Sequence, residues 1–205
     1  MTQIDSHRRR GRPAGTSDTR DRILRSARDL FARDGTTNTS IRAIAAEAGV
    51  DPALVHHYFG TKAQLIATAI DIPIDPERVL TVLRATPVES LGHAVPALIL
   101  PLWESDLGAH LKATLRAALA GDQQSIFAGF LREVVLTGIA PRIDEPPGSG
   151  IVRAEFAATQ MLGVVMARYI FELQPFARVP IDQVIETIAP TLQRYLTGDI
   201  AAVTT

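Results

Sequence analysis

The stretch TSIRAIAAEAGVDPALVHHYFGTK, residues 39–62, decides the fold class. Ile41, Ile44, Ala45 and Ala48 recur at helical spacing and give one apolar face. Gly49 follows the last periodic residue, where a left-handed helix end favours glycine. Asp51-Pro52 then opens a second helix: Asp51 can cap it, and Pro52 suits a first position that needs no amide hydrogen. Val50 and Val55 are placed to staple that entry. Val55 and Phe59, four apart, face inward together. The spacing therefore predicts two short helices joined by a tight turn. The outer side of the second carries Ala53, His56, His57 and, at the edge, Tyr58.

A helix that shows small, aromatic and imidazole side chains just past such a turn has the pattern of a DNA-recognition helix. Charge is distributed accordingly. The 205-residue chain has a net charge of −1, but residues 1–62 carry net +4 and residues 63–205 net −5. A basic beginning on an acidic remainder suggests that the first part alone meets a polyanion.

Working outward, residues 1–16 read as a disordered basic arm with Arg8, Arg9, Arg10 and Arg12 and no periodicity. The tetrad Arg10-Gly11-Arg12-Pro13 resembles the core of an AT-hook, whose arginines lie along a narrow minor groove. The other reading is a solvated tail. A first helix is predicted from about residue 18 to 34, capped by Ser17 or Asp18, with Ile23, Leu24, Ala27, Leu30 and Phe31 as its stripe. Its outer arginines, Arg20, Arg22, Arg25 and Arg28, read mostly as a solvated face. Thr39 or Ser40 caps the next helix, and either hydroxyl beside exposed amides makes a phosphate seat. Arg42 lies in the first turn on the polar side. A fourth helix is predicted from Thr61 to about Ile70, with Lys62 at its start.

Residues 18–70 resemble the amino-terminal domain of the TetR family, the tetracycline-repressor-like regulators. The match rests on ILRSARDLFARDG, TSIRAIAAEAGV and DPALVHHYFGTK. The resemblance implies an all-α fold: a three-helix helix-turn-helix head at 17–62 and a ligand-binding, dimerising helical body at 63–205. Carried over by position, it puts Ser40 and Arg42 on phosphate and base, and Pro52, Ala53 and Leu54 on the base-facing start of the recognition helix. It puts His56, His57 and Tyr58 on the aromatic segment, and Lys62 on phosphate. Many relatives carry tyrosine where His56 stands, histidine where Tyr58 stands, and a small or hydroxylic residue in place of Leu54. Leu54 either touches a thymine methyl or packs beneath the helix. The resemblance also implies that the fourth helix transmits ligand state to the head.

The remainder reads as helices broken by punctuation. A short one is predicted at 76–84. One through Leu91 to Trp103 contains Pro96 and Pro101 and should be kinked or broken. Helices follow at 109–119 and 123–137, then the loop IDEPPGSG at 143–150. Residues 152–173 are apolar on nearly every side, so a subunit partner is the natural cover. Residues 181–196 carry a clean stripe bent at Pro190. These two fit the family's four-helix dimer interface; the alternative is an internal hairpin of a monomer. Candidate pocket residues are Trp103, Phe127, Phe130, Gln160, Met161 and Arg168, the polar ones to orient a ligand.

Several classes are set aside. There is no cysteine, and no HExxH, GxSxG or glycine-rich phosphate motif, so no enzyme is expected. His56 and His57 diverge by about 100° on a helix, without a third ligand, so no metal or cofactor is expected. No run of 18 apolar residues and no signal peptide is seen, so no membrane partner is expected and the protein should be cytoplasmic. The reading is a homodimeric repressor released from a palindromic DNA operator by a small hydrophobic or amphipathic ligand. The alternatives are an activating or ligand-independent regulator, and a helical interaction module without DNA binding.

Overall fold

The computed structural model describes residues 14–121 and 124–199, with the side chains of 14–17 and 135–137 excepted. Every regular element among them is helical. The head comprises α1 (Ala14–Asp34), α2 (Ile41–Ala48) and α3 (Pro52–Phe59), followed by α4 (Lys62–Ala69). The body has α5 (Pro76–Ala85), α6 (Leu91–Glu104), α7 (Gly108–Ala120) and α8 (Gln124–Gly138). It closes with α9 (Gly150–Val165) and α10 (Ile181–Thr197).

Local signals at the turn act as anticipated. Asp51 accepts the Ala53 N–H at 2.7 Å, and Pro52 occupies the first turn. Gly49 is left-handed at φ 63°, a conformation that costs a residue with a Cβ about 1 kcal/mol. At the start of α1 the anticipated cap is overridden: the helix begins at Ala14, so Ser17 and Asp18 lie inside it. Serine and aspartate cost only tenths of a kcal/mol in a helix interior, so they are weak stops.

Two apolar clusters organise the chain. The first gathers Ile23, Ala27 and Phe31 of α1 with Ile44, Val55 and Phe59. It extends past Lys62, taking Leu65, Ile66 and Ile70 from the α4 region and Ile126 from α8. The second holds Leu83, Leu91, Leu100, Leu115, Met161, Leu192 and their neighbours in the body. Its helices tolerate more proline than local rules suggest. The helix assignment runs through Pro96 and Pro101 in α6 and through Pro190 in α10. Leu91 and Leu100 of α6 and Leu192 and Leu196 of α10 are fully buried in the same cluster, and that burial, about 2 kcal/mol per side chain, offsets a lost amide bond.

The helix expected over 152–173 ends early. After α9 the chain widens into a π turn, Met166–Ile170, then leaves helix at Glu172, φ 51°. Successive side chains from that turn reach one partner: Arg168 Nη2 lies 2.8 Å, and the Tyr169 hydroxyl 3.2 Å, from Glu104 Oε1. Burial pushes the Tyr169 phenol up to about 12. The stretch Gly150–Ile170 is long and apolar enough to cross a membrane by length and hydropathy. Its Ala154, Ala157, Met161, Val164 and Val165 are buried in the body cluster, while Ile151, Phe156 and Leu162 stay exposed.

The loop before α9 supplies that helix with a cap. Asp144 Oδ1 accepts the Gly150 N–H at 2.8 Å. Amides of Gly150, Gly148 and Ser149 hold its carboxyl below the usual carboxylate range. A depressed folded pKa stabilises the protein above the unfolded value, near 3.9, and the contribution is lost as pH falls through the folded value. An Asp144→Asn variant should therefore show a smaller loss of stability than the native chain between pH 5 and its acid transition. Parallel acid titrations followed by circular dichroism would expose any failure of that ordering.

Candidate nucleic-acid interface

The start of α2 separates two hydroxyls that sequence reasoning treated as equals. Ser40 is the cap: its exposed Oγ accepts the Ala43 N–H at 3.1 Å, leaving the hydroxyl hydrogen for an outside acceptor. Thr39 is buried, and its hydroxyl donates to the Gly35 carbonyl at 2.8 Å. Thr39 therefore anchors the α1–α2 turn and is not presented to phosphate. Arg42 is exposed in the first turn of α2.

On α3, Ala53, His56 and His57 are exposed, while Pro52, Leu54 and Tyr58 are half-buried. Tyr58 packs on the head cluster, so only part of it faces out; Leu54 is not among the side chains packed there. The His57 ring meets Tyr58 edge-on at 5.4 Å, which steadies an otherwise free side chain. His56 Nδ1 lies 2.9 Å from the Gly60 carbonyl. That acceptor requires the proton on Nδ1, so in the neutral ring Nε2 is an outward acceptor. One histidine thus closes the end of α3, and its neighbour, exposed beside Tyr58, makes no such bond. Arg10 and Arg12 lie outside the described residues.

Three further cations, Arg20, Arg28 and Lys62, are engaged within the fold. Arg28 Nε donates to the Ala69 carbonyl at 2.8 Å, tying α1 to the end of α4, and Arg20 sits 5.0 Å above the Phe59 ring. Lys62 is half-buried, with Nζ 3.9 Å from Glu133 Oε2 of α8. No local pattern marks Glu133 as its partner, because 71 residues separate them.

Helix α8 runs between head and body. Ile126 is buried in the head cluster, and Phe127 and Phe130 pack against it. A Cβ at Gly129 would overlap the Thr36 side chain, so glycine permits this approach of α8 to the α1–α2 turn. On the other side of α8 is a cavity of about 220 Å³. Trp103, Phe127, Phe130 and Met161 line it, as do Ile72 and Ile74 of the α4–α5 connection. Gln160 and Arg168 do not line it. Gln160 is one residue from Met161 and so turned about 100° away. Arg168 is 8% exposed and fully committed elsewhere. Its guanidinium binds Glu104 and donates to the carbonyls of Phe176 and Val179 at 3.1 and 2.7 Å.

A family model described as bacterial regulatory proteins, tetR family, matches residues 23–69. A second, described as tetracyclin repressor-like, C-terminal domain, matches residues 89–196, more than half of the chain. The chain belongs to the TetR family. It is 34% identical over 165 residues to the HTH-type transcriptional repressor Rv3405c of Mycobacterium tuberculosis, covering 78% of this chain and 79% of that one. It is 36% identical over 73 residues to the HTH-type transcriptional regulator UidR of Escherichia coli K12, 36% of each chain. Among solved structures, the TetR-family regulator SCO0857 of Streptomyces coelicolor covers 91% of this chain and 99% of that one, with 30% identity and a TM-score of 0.44. This TetR-family member is a DNA-binding transcriptional regulator with the all-helical head and body its sequence implied.

Proposed function

We propose that this regulator is a homodimeric repressor that leaves a palindromic operator when a small hydrophobic or amphipathic molecule enters the body. The observation that carries the ligand response is a shared wall. Ile72, Phe127 and Phe130 line the cavity and also pack against the head cluster. A molecule that moves these side chains acts on both cores, and differential affinity for the resulting arrangement releases DNA. That the curated relative Rv3405c is named a repressor supports the sign of regulation.

In this reading Ser40, Arg42 and Lys62 hold phosphate, and Pro52, Ala53, Leu54, His56, His57 and the exposed part of Tyr58 face base edges. Two heads meet successive major grooves, about 34–36 Å apart. Dimerisation is supported by Ile151, Phe156 and Leu162, large apolar side chains left exposed on α9. The protein works where operator DNA is, in the cytoplasm. A gel shift on DNA from its own upstream region, at several salt concentrations, tests the assignment: absence of a salt-sensitive, sequence-selective shift would remove it.

The Lys62–Glu133 pair adds a competition. Phosphate and Glu133 want the same ammonium. Glu133→Gln should raise operator affinity up to about fivefold at low salt, the range of a partly exposed ion pair of about 1 kcal/mol. Unchanged affinity would mean that Lys62 does not serve phosphate.

A further inference from the structure

The cavity restricts its occupant more narrowly than the reading above, on which this inference rests. Aliphatic and aromatic side chains from five body helices and the α4–α5 connection make its wall. Among the described lining residues only Thr114 and Trp103 carry a polar side-chain group: the Thr114 hydroxyl already donates to the Asp71 carbonyl at 3.2 Å, and Trp103 brings a single indole N–H. His110, one residue from the lining Leu111, is turned to Asp71, 2.9 Å from its carbonyl and 3.0 Å from its carboxylate. Nearby arginines face away too. Arg153 donates to the carbonyls of Tyr195 and Gly198, and Arg168 is held by Glu104. Among the described residues, therefore, no charged side chain lines the cavity, and its polar groups amount to a committed hydroxyl and one indole N–H.

We infer that the inducer is an uncharged, largely hydrocarbon molecule, held by apolar contact and shape rather than by a salt bridge. An ionised carboxylate or ammonium entering this cavity would lose its hydration with no opposite charge and at most one indole N–H in exchange. An unmet neutral polar group would cost about 1–3 kcal/mol. Size follows from volume: an apolar cavity of about 150 Å³ holds the six carbons of benzene, so about 220 Å³ suits roughly nine, with some room beyond because the cavity is partly open.

Trp103 gives a direct readout. It is the chain's one tryptophan, it lines the cavity, and it stacks on Tyr169 at 5.6 Å. The purified full chain is titrated with n-butylbenzene, 4-phenylbutyrate and 4-phenylbutylamine, reading Trp103 emission, thermal midpoint and operator binding. The neutral compound should bind at least tenfold more tightly than either ion and lower operator affinity. Ala157→Phe, placed to fill the space, should abolish the emission change; if that variant does not fold, Ala158→Leu serves. Tighter binding of either ion, or no response from n-butylbenzene, would overturn the inference. Operator release by an ion alone would leave ligand control standing and sink only the ligand class. Binding of n-butylbenzene without operator release would uphold the class and sink ligand control.

Discussion

Replacing Arg168 with alanine will lower the unfolding free energy by about 3 kcal/mol, the low end for breaking a buried ion pair because Glu104 is partly exposed. The guanidinium joins three segments: Glu104 at the end of α6, the π turn after α9, and the carbonyls of Phe176 and Val179. Removing it takes the donor from the Val179 carbonyl and the counter-charge from Glu104, while the Phe176 carbonyl keeps the Val179 N–H and Glu104 keeps the Tyr169 hydroxyl. For a chain of this length the loss should appear as a drop of roughly 6–12 °C in thermal midpoint. Arg168→Lys should rescue only part, since an ammonium cannot span a carboxylate and two carbonyls from one planar fork. Denaturant curves at fixed protein concentration measure both variants. A loss below about 1 kcal/mol for alanine would show that the three-way contact is incidental. Because Arg168 does not line the cavity, butylbenzene affinity in the folded fraction should be retained.

On the DNA side, His57→Ala should weaken operator binding by about 1–3 kcal/mol, five- to 150-fold, and relax preference at the base pairs it faces. His57 is exposed on α3, ordered by Tyr58 rather than consumed by the fold, so its removal should leave stability nearly unchanged. Lys62→Ala should act differently: uniform weakening across sequences and a salt slope reduced by about one. Thr39→Val provides a control. Thr39 is buried and bonded to Gly35, so this change should cost stability with little effect on the affinity of the folded fraction. If His57→Ala binds its operator as tightly as the native protein, the recognition assignment on α3 fails. If Thr39→Val instead lowers affinity at full stability, the buried hydroxyl has been misjudged.

Legibility differed between the two halves of the molecule for a physical reason. Residues 39–62 form structure through contacts three and four positions apart, so cap, turn glycine and apolar stripe are written locally. Asp51, Gly49 and Val55 sit where those patterns require. The pocket was only half visible. Trp103, Phe127, Phe130 and Met161 stood out by size and helical phase. Ile72 and Ile74, in an irregular connection, carried no such signal. Arg168 read as a candidate ligand anchor because a polar residue facing an apolar cavity can orient a ligand. Its partners lie 64 residues back and 8 to 11 ahead, beyond any local pattern.

By itself, then, the sequence determined the helical class and the helix-turn-helix, because both rest on short-range periodicity and caps, and its motifs carried the resemblance to the family. Tertiary structure alone decided which polar groups remain available. It buried Thr39, paired Lys62 with Glu133, committed Arg28 and Arg168 to distant carbonyls, and left His57 outside. It also set Ile72, Phe127 and Phe130 between cavity and head. Availability is a matter of packing and desolvation among residues far apart in the chain, and no local pattern records it.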